Sequence, residues 1–401
     1  MRTPAGHDPA ATEMSQRHHT EPSPSTGFDP AELQSALDGV HRAGVPGVFA
    51  EVRDEGRVWR GASGVADLET SRPMRPDLRH RVGSTTKTFT AAAIMQQVEN
   101  DRIALDAPIG RQLPHLVPGE RGEQITVRML LNHTSGIAEY LLAAFPSLRK
   151  FPSLPEMSPE SLDGNRFRRF RPAELIGMGL AAGAVGEPGG PTGVYSNTNY
   201  LILVQLLEHV TGTTAEQYIT RNVIERAGLR NTAFPDGPRI EEPHPRMYEA
   251  FHGLVDPPRD YSVYDMSWVR GTASLVSTVE DLNRFYRRLL AGEIVQPSSL
   301  AQMRRTLPVR SHAGERIDYG LGLQRKDTDR GTFWGHEGTV WGAGTACWTS
   351  ADGRRQMSLA MNLQRWTRPD ASGRPRPHPI DDALSAFYQY ALCGHRKVVS
   401  A

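Results

Sequence analysis

The stretch that most constrains this chain is Gly83-Ser84-Thr85-Thr86-Lys87, which leads into the apolar run 91–98. The run predicts a strongly apolar helix, with Ser84 at its mouth and Lys87 three residues later. Residues three apart lie on one side of a helix, so the Ser84 hydroxyl and the Lys87 amine can approach each other. A buried lysine can lose its proton and activate a hydroxyl as a nucleophile. A helix N-terminus also offers N–H groups to developing negative charge. We therefore interpret Ser84 as the nucleophile of an acyl-transferring enzyme.

A second Ser-x-x-Lys copy, Ser147 to Lys150, shows that the pattern is short enough to occur by chance. We discard this copy because it lies in a proline-rich stretch with no apolar helix after it. The use of lysine favours the first copy, because the chain has only four lysines among its 46 Lys and Arg residues. Arginine does not release its proton in proteins, whereas lysine can.

The bulk composition excludes several classes of function. A length of 401 residues allows one large domain or two smaller ones. A net charge of +1 argues against nucleic acid or an anionic membrane as the main partner. No apolar stretch reaches the ~18 residues of a membrane-spanning helix, and no Cys or His cluster has the spacing of a zinc site.

The first residues are polar and rich in proline, serine and histidine, without the apolar core of a signal peptide. We expect residues 1–27 to be a disordered N-terminal tail and the chain to be cytoplasmic. Residues 28–401 would then form the catalytic domain, with a mostly helical subdomain at about 101–270.

Strand patterns occur near both ends of the chain, and helix patterns, among them 199–210 and 215–224, fill the middle. Asp29-Pro30 is a typical helix start, and the strands 45–52 and 57–65 follow it as a hairpin. Ser277 to Glu280 reads as a capping box that opens the helix 281–290. Further strands are predicted at 319–323, 332–335, 345–350 and 356–363, before a last helix at 380–392. This order indicates an α+β fold in which terminal helices flank an antiparallel sheet with a mostly helical insertion.

Tyr195-Ser196-Asn197, just before the helix 199–210, carries further polar chemistry. A tyrosine near two cations can lose its proton below its usual pKa of about 10 and then act as a general base. The Asn197 amide can bond Lys87 or a carbonyl of the substrate.

A glycine-containing segment, Gly335 to Thr339, is expected at the start of a strand. Gly338 there would let a substrate backbone come close. The N–H of Thr339 would join the N–H of Ser84 in an oxyanion hole. A third segment, Leu130 to Ile137, looks structural, with His133 bonding the backbone.

The four segments follow one another as Ser-x-x-Lys, His-Thr-Ser-Gly, Tyr-x-Asn and His-x-Gly. This combination resembles the serine β-lactamase and penicillin-binding-protein superfamily, in particular its class C β-lactamase and soluble D-alanyl-D-alanine carboxypeptidase branch. The resemblance covers roughly residues 29 to 395. It implies a β-lactamase/transpeptidase-like fold, an acyl-enzyme on Ser84, and neither metal nor cofactor.

The resemblance also implies roles for individual residues. Lys87 and Tyr195 would transfer protons, and Asn197 would line the site. His336 would replace the lysine that is usual in the third motif. Phe145 and Trp268 fall where the carboxypeptidases have aromatic pocket walls.

Three departures from the carboxypeptidase pattern bear on the substrate. Gln324 stands where those enzymes have an arginine that grips the terminal carboxylate of the substrate, and Glu337 stands where they have a threonine. A glutamate beside that pocket would repel a carboxylate. Trp341 adds bulk where the pocket opens. We therefore expect β-lactams and D-Ala-D-Ala peptides to be poor substrates.

These observations favour a serine acyl hydrolase or acyltransferase that forms an acyl-Ser84 intermediate from an ester, thioester or amide. Its partners would be a small or peptide-like acyl donor and, for a transferase, an amine acceptor. Two alternatives stay open: a D-alanyl-D-alanine carboxypeptidase or class C-like β-lactamase, and a non-catalytic binder or sensor that is only acylated.

Overall fold

The structure is a computed structural model that describes residues 27–148, 158–368, 370 and 376–394. The described residues form fifteen strands: β1 (Gly47–Asp54), β2 (Arg57–Asp67), β3 (Arg72–Pro73), β4 (His80–Arg81), β5 (Gly193–Val194), β6 (Tyr248–Glu249), β7 (Arg259–Asp260), β8 (Val276–Ser277), β9 (Leu307–Arg310), β10 (Arg316–Tyr319), β11 (Gln324–Thr328), β12 (Gly331–Val340), β13 (Ala343–Ser350), β14 (Arg355–Met361) and β15 (Leu363–Gln364).

Twelve α-helices accompany the strands in the same described ranges. They are α1 (Pro30–Arg42), α2 (Thr86–Glu99), α3 (Gly119–Gln124), α4 (Val127–Leu131), α5 (Leu141–Ala144), α6 (Glu160–Gly164), α7 (Pro172–Ala181), α8 (Asn197–Thr211), α9 (Ala215–Ile219), α10 (Val279–Leu290), α11 (Pro297–Met303) and α12 (Pro379–Cys393). The longest, α8 and α12, have 15 residues each. None of the described helices has the length and apolar character needed to cross a bilayer.

A ten-stranded sheet joins the two ends of the chain. Its strand order is β3-β2-β1-β14-β13-β12-β11-β10-β9-β5. The N-terminal strands meet the C-terminal ones where β1 pairs with β14, with Val48 opposite Met361 and Asp54 opposite Arg355. All pairs are antiparallel except β5 with β9, which is parallel. The predicted fold class, an antiparallel sheet with terminal helices and a helical insertion, is confirmed.

The terminal helices α1 and α12 cover one face of this sheet. Asp29 caps α1 as expected, because its side chain accepts a hydrogen bond from the N–H of Ala31 at 2.8 Å. Alternate residues of β1 (Val48, Ala50 and Val52) point into the same core as the two helices. The hydrophobic effect therefore fixes which face of β1 turns towards the terminal helices.

The opposite face packs against α2, α10 and the helical region that contains α3 to α9. The first twelve residues of α2, Thr86 to Gln97, are all buried, as expected of a helix surrounded by protein. The ring of Phe89 on α2 stacks on the ring of Phe285 on α10, with centroids 3.6 Å apart. A large apolar core joins these elements and holds α2 in the centre of the molecule.

Three local details differ from the sequence predictions. The N-cap of α10 is Thr278, whose hydroxyl accepts from the N–H of Asp281, while the Ser277 hydroxyl bonds Thr232 instead. The segment expected at a strand start, Gly335 to Thr339, lies inside β12. The predicted helix over 215–224 is α9 followed by a π-helical turn. Residues 1–26 of the predicted tail lie outside the described residues.

We predict that Phe89→Ala will destabilise the fold by about 3–5 kcal/mol, because truncating a buried aromatic ring leaves a cavity beside Phe285. Unfolding in urea, followed by circular dichroism, measures the loss. Leu68→Ala is the control: Leu68 is 47% exposed in a turn, so its loss should stay within about 0.5 kcal/mol. Equal losses for the two variants would contradict the central place assigned to α2.

Candidate active site

Ser84 lies in a 3-10 turn, Gly83–Thr85, that runs directly into α2. From Arg81 to Gln97 every residue is buried except Ser84, which is partly exposed. Gly83 adopts a φ of +54°, a conformation that glycine takes without steric cost. The turn therefore presents one hydroxyl to solvent from an otherwise buried segment.

Two glycines let this turn touch the backbone of β12. A Cβ on Gly83 would lie 2.5 Å from the Thr339 nitrogen. A Cβ on Gly338 would overlap the Val82 carbonyl oxygen and lie 3.0 Å from the Ser84 nitrogen. The expectation that Gly338 makes room for a substrate backbone was wrong, because the protein's own Val82 carbonyl fills that space.

The N–H groups of Ser84 and Thr339 are brought close together by this contact. The N–H of Glu337 meets the side-chain oxygen of Gln324 at 3.4 Å, at the first residue of β11. Alternate residues of a strand direct their N–H groups to the same edge. The N–H of Thr339 therefore points to the same edge of β12 as that of Glu337, at a position beyond the start of β11. Two adjacent N–H groups at the mouth of the site have the arrangement that stabilises an oxyanion.

Lys87 is fully buried beneath Ser84 and donates to three oxygens. Its Nζ lies 2.9 Å from Ser84 Oγ, 2.7 Å from Asn197 Oδ1 and 3.3 Å from the Thr272 carbonyl. Burial lowers the pKa of Lys87 from its ordinary value to about 7, although the charge of Glu139 opposes the shift. The amine can therefore both take up and release a proton near neutral pH.

Tyr195 lies beside Ser84, but the pKa of its hydroxyl is shifted upwards, whereas we expected a downward shift. Burial raises the pKa of Tyr195 well above its usual value, and the nearby Ser84 hydroxyl only partly opposes this. The Lys87 Nζ lies 5.1 Å from the centre of the Tyr195 ring and is itself easily deprotonated. The surroundings of Tyr195 therefore favour its protonated form, whereas the sequence led us to expect a tyrosine that loses its proton and acts as a general base.

Two buried histidines contact tyrosines of the site: His336 contacts Tyr319, and His133 contacts Tyr195. His336 donates from Nδ1 to the Glu337 carbonyl, so its Nε2 accepts from the Tyr319 hydroxyl at 2.9 Å. Burial lowers the pKa of His336 to about 3, so the ring is neutral. Neither ring nitrogen is directed at Ser84. His133 accepts from the backbone N–H of Ser196 at 3.3 Å, and its ring lies 4.2 Å from that of Tyr195.

Glu337 lies on the face of β12 that points away from Ser84. Because Gly338 faces the Ser84 turn, the preceding side chain faces the other way. The Glu337 carboxylate lies 3.6 Å from the Nζ of Lys326, which in turn lies over the rings of Trp348 and Tyr388 on the α12 side of the sheet. The expectation that Glu337 repels a carboxylate in the substrate pocket was therefore wrong. Gln324 is two residues from Lys326 on β11 and shares its face.

The three predicted pocket aromatics form one cluster. The rings of Trp268 and Trp341 stack with centroids 4.8 Å apart, and Phe145 meets their faces edge-on at 5.5 and 5.6 Å. Trp341 lies in the two-residue loop after β12, two residues beyond Thr339. Trp268 lies four residues before Thr272, whose carbonyl contacts Lys87. Short stretches of chain therefore connect the cluster to Thr339 on one side of the site and to Thr272 on the other.

Two further polar residues, Glu139 and His312, belong to this site and were not predicted from the sequence. Glu139 Oε2 accepts from the backbone N–H of Asn197 at 2.8 Å and from its side-chain amide at 2.9 Å. His312, in the loop between β9 and β10, places Nε2 3.4 Å from Glu139 and packs its ring 5.0 Å from that of Tyr195. Neither residue lies in a recognisable motif, and only the fold brings them together. The described residues contain no group of three or more acidic, His or Cys side chains able to hold a metal ion.

Comparison with known proteins places these features among hydrolases. The family model described as Beta-lactamase matches residues 33–379. The chain is 26% identical to Esterase EstB of Burkholderia gladioli over 402 residues, which cover 90% of this chain and 97% of that protein. It is 25% identical to Penicillin-binding protein 4* of Bacillus subtilis, covering 77% of this chain and 66% of that longer protein.

A solved structure agrees with these matches. The D-stereospecific amidohydrolase from Streptomyces sp. superposes with a TM-score of 0.76 and 30% sequence identity, covering 92% of this chain and 99% of that one.

We predict that the reactivity of Ser84 will rise with pH through about 7, because only the neutral Lys87 amine can accept the serine proton. Below that pH the amine is protonated, and the rate should fall about tenfold for each further pH unit. Labelling by a neutral fluorophosphonate, followed by intact mass, measures the rate. A labelling rate constant that does not change between pH 5 and 8 would contradict the role of Lys87.

We predict that Gly338→Ala will slow this labelling about 100-fold, because its Cβ must displace the turn that carries Ser84. Gly177→Ala is the matched control, since a Cβ there meets open space, and it should label at the wild-type rate. Circular dichroism confirms that both variants are folded. Labelling of the folded Gly338→Ala variant at the wild-type rate would show that the turn is not held by β12 in the way described.

Proposed function

This chain belongs to the beta-lactamase family and is a serine hydrolase of that family, and we propose that it cleaves esters or amides through a covalent acyl-Ser84 intermediate. Family membership confirms the resemblance drawn from the order of the four motifs. The observation that carries the proposal is the 2.9 Å contact between the Lys87 amine and the Ser84 hydroxyl, in a setting that lowers the pKa of the amine to about 7.

In the first step, the neutral Lys87 amine takes the proton of the Ser84 hydroxyl as Oγ bonds to the carbonyl carbon of the substrate. The carbonyl oxygen becomes negative and receives hydrogen bonds from the N–H groups of Ser84 and Thr339. The lysine is now an ammonium ion. The Asn197 side-chain oxygen and the Thr272 carbonyl, which already accept from Nζ, stabilise its charge.

In the second step, the bond between the carbonyl carbon and the leaving oxygen or nitrogen breaks, and the leaving group needs a proton. Tyr195 supplies it from its hydroxyl and regains one from the Lys87 ammonium, which returns to the neutral amine. A phenol that stays protonated suits this relay better than it suits the role of a base. Water then attacks the acyl ester with Lys87 as base, and the carboxylic acid and free Ser84 are released.

The substrate class follows from the relatives and the aromatic cluster. One relative is named an esterase, one a penicillin-binding protein, and the structural neighbour a D-stereospecific amidohydrolase. Hydrolysis of an ester or amide therefore has the most support, and the cluster of Phe145, Trp268 and Trp341 suits an apolar acyl group. Transfer to an amine acceptor would use the same acyl-enzyme, with the amine replacing water.

We predict that Ser84→Ala will abolish both turnover and the acyl adduct seen by intact mass with a panel of p-nitrophenyl esters, amino acid amides and penicillin G. The control is Ser147→Ala. Ser147 opens the second Ser-x-x-Lys copy, and its hydroxyl contacts Ser161 and the Ser158 carbonyl. This variant should behave as wild type.

The adduct identifies the donor class. Rapid, long-lived acylation by penicillin with no ester turnover would favour a penicillin-binding role over the proposal. If the panel gives neither adduct nor turnover with the wild-type chain, the acyl-Ser84 mechanism is wrong.

A further inference from the structure

Glu139 places a carboxylate at the start of α8, beside the proposed site. Its Oε2 accepts two hydrogen bonds from Asn197, one from the backbone and one from the side-chain amide. Its Oε1 accepts from the backbone N–H of Leu141 at 3.1 Å. A carboxylate can accept about four hydrogen bonds. These three donors therefore leave room for one more on Oε1.

The negative charge of Glu139 lacks a permanent cationic partner. The only ion pair that it forms within the described residues is with His312, at 3.4 Å. Desolvation lowers the pKa of His312 and the charge of Lys87 adds to this effect, while the charge of Glu139 opposes it. The imidazole therefore carries no permanent positive charge near pH 7. Two other buried glutamates are paired with arginine, Glu51 with Arg53 and Arg60 and Glu249 with Arg365. The buried carboxylate of Asp281 is instead held by hydrogen bonds from Asn231 and Thr232.

The Glu139 carboxylate is partly accessible beside Tyr195. The Glu139 side chain is 13% exposed, and the His312 side chain beside it is 45% exposed. His312 packs edge-on against Tyr195, which itself adjoins Ser84. A small group that enters beside Tyr195 can therefore meet Glu139 after displacing His312 or passing it.

Asn197 connects Glu139 to the nucleophile. Its amide nitrogen donates to Glu139, its oxygen accepts from Lys87, and Lys87 donates to Ser84, each at 2.9 Å or less. Only two side chains thus separate the carboxylate from the attacking oxygen. The carboxylate is therefore close to the part of the site that the acyl group of a substrate would occupy with its carbonyl at Ser84.

We propose that Glu139 binds a primary ammonium group on the acyl part of the substrate, so that the enzyme selects amino-acyl esters or amides. This proposal rests on the acyl-Ser84 mechanism given above. The ammonium would form a charge-assisted hydrogen bond with Oε1 and provide the counter-charge that the carboxylate lacks. A substrate carboxylate in the same position would be repelled. Discrimination against acidic substrates, first ascribed to Glu337, is thus transferred to Glu139.

The test compares p-nitrophenyl esters that differ in the ammonium group: the D and the L ester of phenylalanine, each measured against the ester of 3-phenylpropanoic acid. The readout is the ratio of kcat/KM for each phenylalanine ester to that for the 3-phenylpropanoate ester, corrected for spontaneous hydrolysis. Wild type should favour the phenylalanine ester. Glu139→Gln keeps an oxygen for Asn197 but removes the charge, and should lower the ratio about 30-fold, a size typical of losing a partly buried charged partner.

Glu337→Gln is the matched control, because it removes a carboxylate from the opposite face of the sheet, and it should leave the ratio unchanged. If Glu139→Gln slows both esters by the same factor, Glu139 only positions Asn197 and the proposal is overturned. A wild-type preference for the 3-phenylpropanoate ester would overturn it as well. Failure of the underlying mechanism looks different: wild type would then form no acyl-Ser84 with either ester, and both proposals would be lost.

Discussion

The desolvation of Lys87 is the physical constraint on which the rest of the structure depends. Lowering the pKa of an amine from 10.5 to about 7 corresponds to about 5 kcal/mol of lost preference for the charged form. Such a shift requires protein on all sides of the amine. The fold supplies it by placing α2 between the sheet and the helical region. The same burial leaves Ser84 as the one partly exposed residue in its segment, so the base is hidden and the nucleophile is open.

Burial alone would make Lys87 inert, and the surrounding acceptors prevent this. The Asn197 and Thr272 oxygens satisfy the ammonium form, and the charge of Glu139 keeps that form accessible. For Tyr195 the Ser84 hydroxyl opposes the shift only in part, because burial and the nearby charge of Glu139 both disfavour a tyrosine anion. Two neighbouring groups in one environment are therefore driven in opposite senses, one towards accepting a proton and the other towards keeping it. This divergence is what assigns the base and the donor.

Much of the fold could be predicted from the sequence because its signals are local. The cap at Asp29, the hairpin between β1 and β2 and the apolar α2 are each determined by a few adjacent residues. The contact between Ser84 and Lys87 follows from helical spacing in the same way. The direction of the Tyr195 pKa shift differs from the expectation because it depends on burial, which only tertiary packing determines. The prediction for Glu337 failed because the direction of its side chain depends on how β12 is oriented towards the Ser84 turn.

Glu139 and His312 could not be predicted at all. They lie on loops far apart in the chain, and no spacing rule links a residue before α5 to one between β9 and β10. Their meeting depends on the position of the N-terminus of α8, which carries Asn197, and on the edge of the sheet. The residues proposed to distinguish substrates are therefore harder to predict from the sequence than Ser84 and Lys87, which lie in a short motif.

The parallel pairing of β5 with β9 has a consequence for how such a site can evolve. Tyr195 directly follows β5, and its N–H donates to the Arg310 carbonyl at the end of β9. The proton donor is thus anchored to the sheet, and the exposed loop that carries His312 begins at the very next residue. Insertions or exchanges in this loop can reshape the rim of the cleft while Tyr195, Lys87 and Ser84 keep their places. The architecture thus keeps the exposed rim of the site separate from the residues of the proposed reaction, so a change of substrate would not require the catalyst to be rebuilt.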